Sequence, residues 1–431
     1  MRTRPKIDRL RRGALLALLA LPLCGLAAAD EFGAAEWAAE SSSCPNCKIP
    51  WDEGQHHGSG GFGGPGRSPW DPCDWGPHCT PCYSAETEEQ KRAMLAACPD
   101  CHVNWGHGYS DLPPPGSDPI IRWYASIDAA PLIYDGTRDI KFASFDPGTE
   151  FVVSTNDLDM LLEGGGRLVV GYALDNYWRV EALYLGGHEW EDFDSFRDND
   201  PNSVGGTGNL FSPFTGFGNP AVLGLDFNEF ARIDLRTEFQ NLELIVRHRS
   251  PLRCGPMELS TLCGLRYTQI DEDFRYFTQA NVPPAAGATN ELDVVTENRL
   301  LGFQLGALMN YAVSDWWRID IEVRAALCQN LAKQRTAYSN TDNLGVTSVF
   351  NGAEQEGVTA FVGDVSVVHH YQLSDNVALR LGYQATFVDG IALAAENFER
   401  DLDVLTLGPA ELNHNGTAIY HGPLLGLTVA W

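Results

Sequence analysis

The sequence predicts an all-β protein: a closed antiparallel up-and-down transmembrane β-barrel of about ten strands, or twelve, preceded by an irregular cysteine-rich segment. Three observations carry that prediction. Apolar and polar residues alternate with period 2 through residues 119–431. Short connections between the alternating stretches take turns with long ones, as in barrels whose turns are short on one side of a membrane. A motif recurs at three of the short connections: "YALDNYW" (172–178), "YAVSDWW" (311–317) and "YQLSDNV" (371–377).

The chain begins with a basic stretch, Arg2 to Arg12, followed by the apolar "GALLALLALPL" and the small-residue "AAA" before Asp30. This reads as a secretory signal over residues 1–29, with a lipoprotein signal at Cys24 as the competing reading. The chain's formal charge is −27. That balance argues against nucleic acid and against a polybasic membrane surface as partners. No later run of about 18 apolar residues supplies a spanning helix, which leaves spanning by strands open.

Residues 30–118 form a Cys/Gly/Pro-rich segment with little periodicity, expected in the periplasm. It holds the pairs Cys44/Cys47, Cys79/Cys82 and Cys98/Cys101, each spaced CxxC. In an exported chain these suit disulfides. Two such pairs converging would suit zinc. "CPDCH", with His102 after Cys98 and Cys101, matches c-type haem attachment. No cofactor is expected elsewhere. "GSGGFGGPG" (58–66) lacks the strand before it and the Lys-Ser/Thr after it that a phosphate loop needs, so it reads as a linker.

Ten strands are expected at about 121–133, 161–174, 177–190, 228–248, 258–275, 296–312, 316–333, 358–372, 376–391 and 417–431. In "WRIDIEVRAAL", Trp317, Ile319, Ile321, Val323, Ala325 and Leu327 share one face, against Arg318, Asp320, Glu322 and Arg324. A tilted strand needs about 9–11 residues to cross a bilayer. The even count places both termini on the periplasmic side of a bacterial outer membrane. "EFQNLEL" (238–244) breaks the apolar alternation, so a bulge is expected there, or else a hidden turn.

In the repeated motif the apolar residues six apart suggest pairing across a three-residue hairpin loop, with a left-handed residue at Asn176, Asp315 or Asp375. Tyr172, Trp178, Tyr311, Trp317 and Tyr371 then sit at the membrane interface. The chain ends in "PLLGLTVAW", which resembles the terminal strand of bacterial outer-membrane proteins and places Trp431 at the same interface. Outer-membrane lipid and the barrel-assembly machinery are the partners this implies.

The segments "GGRLVVGYALDNYWRVEALYLG" (164–186), "CGLRYTQIDED" (263–273), "LLGFQLGALMNY" (300–311), "VRAALCQN" (323–330) and "LRLGYQATFVDGI" (379–391) together resemble a planctomycete outer-membrane β-barrel family, beta-barrel porin seven. The resemblance covers about 119–431, implies an outer-membrane barrel and supplies no catalytic residues.

The faces opposite the apolar ones collect charges expected to line a lumen: Arg122, Asp128, Arg167, Arg179, Glu181, Arg232, Asp234, Arg236, Glu238, Arg266, Arg318, Asp320, Glu322, Arg324 and Arg380. Two readings follow. Ten strands enclose little more than room for side chains, so the charges can neutralise one another in a filled lattice. They can also line a narrow porin-like conduit. Cys263 is expected on the apolar face, either as a lipid-facing thiol or bridged to Cys254, and Cys328 is expected inward. His369 and His370 fall on opposite faces of one strand and cannot chelate together. No Ser-His-Asp arrangement is present, so a non-enzymatic surface protein is expected. The alternatives are long outer loops that bind a surface or cell-wall partner, with Glu189, Glu191, Asp192 and Asp194 as acidic candidates, and a barrel tethered to an N-terminal metal or haem module.

Overall fold

The computed structural model describes residues 122–198, 209–254, 256–407 and 411–431. The expected signal segment 1–29, segment 30–118, its candidate ligands (Cys44, Cys47, Cys79, Cys82, Cys98, Cys101 and His102) and the expected linker at 58–66 lie outside them.

Fourteen strands form among the described residues. In chain order they are β1 (Trp123–Ala129), β2 (Ile133–Asp135), β3 (Lys141–Phe145), β4 (Glu150–Ser154), β5 (Gly166–Ala173), β6 (Trp178–Arg197), β7 (Leu210–Phe211), β8 (Asn228–Cys254), β9 (Met257–Ala280), β10 (Thr289–Ser314), β11 (Trp317–Thr341), β12 (Thr347–Ser374), β13 (Val377–Ile391) and β14 (Gly416–Ala430). Ten of them pair antiparallel in a closed circuit: β8, β6, β5, β1, β14, β13, β12, β11, β10, β9, and back to β8. Each expected strand is a member of that ring. The four short strands are additions to it: β2 pairs with β14, while β3, β4 and β7 form a small extension beside β8.

The strands run further than their apolar stretches. The expected loops at 276–295 and 334–357 are mostly strand, and β11 and β12 pair up to Thr341 and Thr347. The acidic candidates Glu189, Glu191, Asp192 and Asp194 therefore stand in β6 and not in a loop. Hydrophobic alternation marks only where one face is apolar, whereas the ladder continues wherever backbone partners are in register.

At the short-turn end the expected three-residue loops are corrected. Ser314 pairs with Trp317 and Ser374 with Val377, so two residues remain in each loop, and the extra residue is absorbed as a bulge before Ser314 and Ser374. Asn176, Asp315 and Asp375 are absent from the positive-φ residues. In the turn between β5 and β6, Asp175 instead accepts hydrogen bonds from the backbone N–H groups of Tyr177 and Trp178, both at 2.7 Å.

The aromatic partners also differ from expectation. Tyr311 lies opposite Ile319, and Tyr172 opposite Val180. The rings meet across the other neighbouring strand: Trp317 stacks on Tyr371 with centroids 6.0 Å apart, and Trp123 meets Tyr172 at 4.7 Å.

The expected bulge in β8 is absent. Its odd residues face inward from Ala231 to Arg249 without a phase change. The irregularity is on β6, between Leu185 and His188, where Gly187 has φ +82. Gly187→Ala places a Cβ in the left-handed region and should lower unfolding stability by about 1–2 kcal/mol. Urea unfolding in detergent checks this, and an unchanged midpoint would refute it.

Candidate functional site: the ion-paired interior

Inward residues fall into two zones. Toward the long-loop end the interior is apolar. Phe239 of β8 stacks on Tyr420 of β14 at 4.3 Å, and these strands stand four places apart in the ring. Trp190, Tyr134 and Leu393 join that cluster. Phe142, Phe274, Tyr276 and Phe398 build a second one. The segment after β13 enters this zone. Asn298 bonds both backbone groups of Ala392 at 2.8 Å and Gln334 donates to the carbonyl of Asn397, while Asn330 donates to that of Gly390 at the end of β13.

Glu272 sits among these groups, level with the outward Asp271 and Asp273. Its carboxylate accepts from the Tyr134 hydroxyl at 2.6 Å and from the Ala394 N–H at 2.7 Å. Burial pushes its pKa up to about 7 against those two bonds, and nearby Glu396 adds to the rise.

Toward the short-turn end the interior is charged. Arg247 grips Glu181 through Nε and Nη2, at 2.8 and 2.7 Å, and reaches Glu322 at 3.1 Å. Arg324 meets Glu243 at 2.7 Å, Glu322 at 3.4 Å and Asp364 at 3.8 Å. Arg266 pairs with Asp364 and also donates to Asn241 at 2.8 Å. Arg318 and His370 share Asp320, each at 2.9 Å. Arg249 pairs with Glu258. Arg380 and Arg167 both approach Asp128, at 3.2 and 3.9 Å. Four of these pairs link strands that are not neighbours: Arg247–Glu322 and Arg324–Glu243 join β8 with β11, Arg266–Asp364 joins β9 with β12, and Arg380–Asp128 joins β13 with β1.

Of the expected lumen charges, Asp128, Arg167, Glu181, Arg266, Arg318, Asp320, Glu322, Arg324 and Arg380 take part in this network, and Arg179 lines the cavity beside it. Arg122 stands at the end of β1, exposed, with Nη1 3.4 Å from the Tyr172 hydroxyl. Arg232, Asp234, Arg236 and Glu238 require correction. They lie on the outer face of β8, where Arg232 pairs with Asp234 and Arg236 meets Glu189 at 2.7 Å and Glu238 at 2.8 Å. Past the apolar stretch of the wall the two faces exchange character: Ala231, Ile233 and Leu235 pack inside, and the charges meet water.

Glu243, Arg247, Arg249, Glu258, Asp364 and Glu272 were missed as interior charges. The steady odd-even phase of β8 and β9 could have found those of them that stand on these two strands.

The outer face shows an apolar band. Leu301, Phe303 and Leu305 on β10, Leu327 on β11, and Leu425 and Leu427 on β14 are all exposed. Trp178, Tyr311 and Trp431 are exposed at the short-turn end, with Tyr172, Trp317 and Tyr371 half-buried beside them. Cys263 is a free thiol on the outer face, so the bridge to Cys254 is not made, while Cys328 is buried inward. His370 points in, whereas His369 stacks outside on Trp317. No His/Cys/Asp/Glu cluster fit for a metal occurs among the described residues.

Comparison with solved structures returns outer-membrane proteins. The outer membrane protease OmpT of Escherichia coli aligns at 9% identity with a TM-score of 0.35, over 72% of this chain and 97% of that one. A major outer membrane protein of Thermus thermophilus aligns at 11% with a TM-score of 0.25, over 72% and 99%. CarO of Acinetobacter baumannii aligns at 12% with a TM-score of 0.21, over 72% and 98%. Likeness at this level carries no argument about activity. No curated protein matches. A family model described as "Putative beta barrel porin-7 (BBP7)" matches residues 118–431, the whole of the ring and its loops, and the chain belongs to that family.

Proposed function

We propose that the protein is a bacterial outer-membrane β-barrel with a closed lumen, a structural surface protein and not an open pore or an enzyme. The exposed apolar band with aromatic residues at its short-turn edge supports the membrane placement. On this reading the short turns and both ends of the ring lie in the periplasm. The observation that carries the closed lumen is the stacking of Phe239 on Tyr420 over a lattice of ion pairs between non-neighbouring strands. Ten strands leave little interior, and here side chains fill the long-loop zone and narrow the short-turn zone to a cavity of about 110 Å³. The porin label of the family then describes architecture.

Planar-bilayer recording of the refolded full chain tests this. The expected result is no steady single-channel current, and a reproducible open state would refute the closed reading. A second reading, outer loops that hold a surface partner, is supported by Leu344, Val346 and Val349, all exposed at the β11–β12 tip.

A further inference from the structure

We infer that the cavity at the short-turn end of the interior binds a small phosphate-type oxyanion. The cavity measures about 110 Å³ and is walled by six arginines against four carboxylates, with His370 beside them. In a chain of formal charge −27, this is a local reversal of sign. The three arginines that matter most are Arg167 of β5, Arg247 of β8 and Arg380 of β13. Each leaves a buried N–H without a hydrogen-bond acceptor among the described residues: Arg167 Nη1, Arg247 Nη1 and Arg380 Nε. Arg167 and Arg380 lean on the same carboxylate, Asp128, at 3.9 and 3.2 Å, and neither meets it in hydrogen-bonding geometry. Two guanidiniums on one buried carboxylate leave a positive charge uncompensated, and buried charge is costly without a partner.

An oxyanion supplies what the wall lacks: one compact negative charge with several acceptor oxygens, suited to guanidinium forks from three strands. The cavity volume suits an ion of phosphate size and is well below the roughly 300–1,000 Å³ of sites for larger ligands. The inference concerns the inner wall alone and stands whether or not the barrel is open.

Titration of the full chain, refolded in detergent and low chloride, with sodium phosphate tests it by calorimetry. The expected result is one-to-one binding, weakened about tenfold or more in Arg167→Met and in Arg380→Met. Arg236→Gln, on the outer face, should leave binding unchanged. Asp128→Asn removes the competing carboxylate and should tighten binding several-fold, a direction that a merely structural role does not produce. Glycerol 3-phosphate is the second probe: equal affinity extends the site to a phosphate carried on a headgroup, and weaker affinity confines it to the free ion. Absence of binding to the wild-type chain overturns the inference, as does binding that potassium chloride at matched ionic strength abolishes completely. Heat-modifiable gel migration reports folding of each variant. If the methionine variants do not fold, the Asp128→Asn comparison decides, and failure to tighten overturns the inference.

Discussion

Asp364→Ala should destabilise the folded barrel by about 3–5 kcal/mol, the usual cost of leaving one partner of a buried ion pair without its counter-charge. Asp364 accepts from both terminal nitrogens of Arg266, whose side chain is fully buried, and from Thr386 at 2.7 Å. It also faces Arg324. Its removal strands the Arg266 guanidinium in the interior, while Arg324 keeps Glu243 and Glu322. The double variant Arg266→Met with Asp364→Leu removes charge from both sides and should recover most of the loss, because replacing a buried pair by apolar side chains is often neutral. Equilibrium urea unfolding in detergent measures both. A loss below about 1 kcal/mol in the single variant would mean that water or side-chain movement compensates Arg266, and that the lattice contributes little.

The second large effect is expected from Glu272. Its ordinary carboxyl pKa of 4.5 rises to about 7 in the folded protein because burial penalises the charged form. The folded state therefore binds the proton more tightly than the unfolded chain does. The stabilisation is fully present below pH 4.5, declines through the window between 4.5 and 7, and is gone above it. That window corresponds to about 3 kcal/mol. Glu272→Gln keeps a hydrogen-bonding side chain and removes the titration. Burial also raises the carboxyls of Glu396 and Asp226, so the informative quantity is wild type minus variant at pH 5 and pH 8. Equal pH slopes in the two proteins would refute the assignment. Because the Ala394 N–H bonds to Glu272, hydrogen exchange at Ala394 should follow the same window, with protection weakening as pH rises after correction for intrinsic exchange.

The ten ring strands were legible because a strand with one face in an apolar medium repeats its chemistry every second residue. Trp317, Ile319, Ile321 and Val323 against Arg318, Asp320 and Glu322 state which side is which before any partner is known. The same rule misplaced Arg232, Asp234, Arg236 and Glu238, because it assumes that apolar always means outward. On β8 the assumption holds for Leu242, Leu244 and Val246 and fails beyond them, where Ile233 and Leu235 fill the interior. Phase is a property of the backbone and persisted; polarity is a property of the surroundings and reversed. The short strands β2, β3, β4 and β7 carry too few residues for a periodic signal and exist because longer strands offer them edges.

For this protein, the sequence by itself determined the antiparallel all-β class, the ten ring strands, the alternation of short and long connections, and the inward side of most charges on the short-turn half. These are local properties: period, turn chemistry and side-chain type act within a few residues. Only the tertiary structure decided that Arg266 meets Asp364, 98 residues away, that Trp317 stacks on Tyr371 and not on Tyr311, and that the segment after β13 folds into the interior beside Glu272. Such pairings depend on ring order and on register between strands remote in sequence, and a one-residue change of register would send each of these side chains to the opposite face.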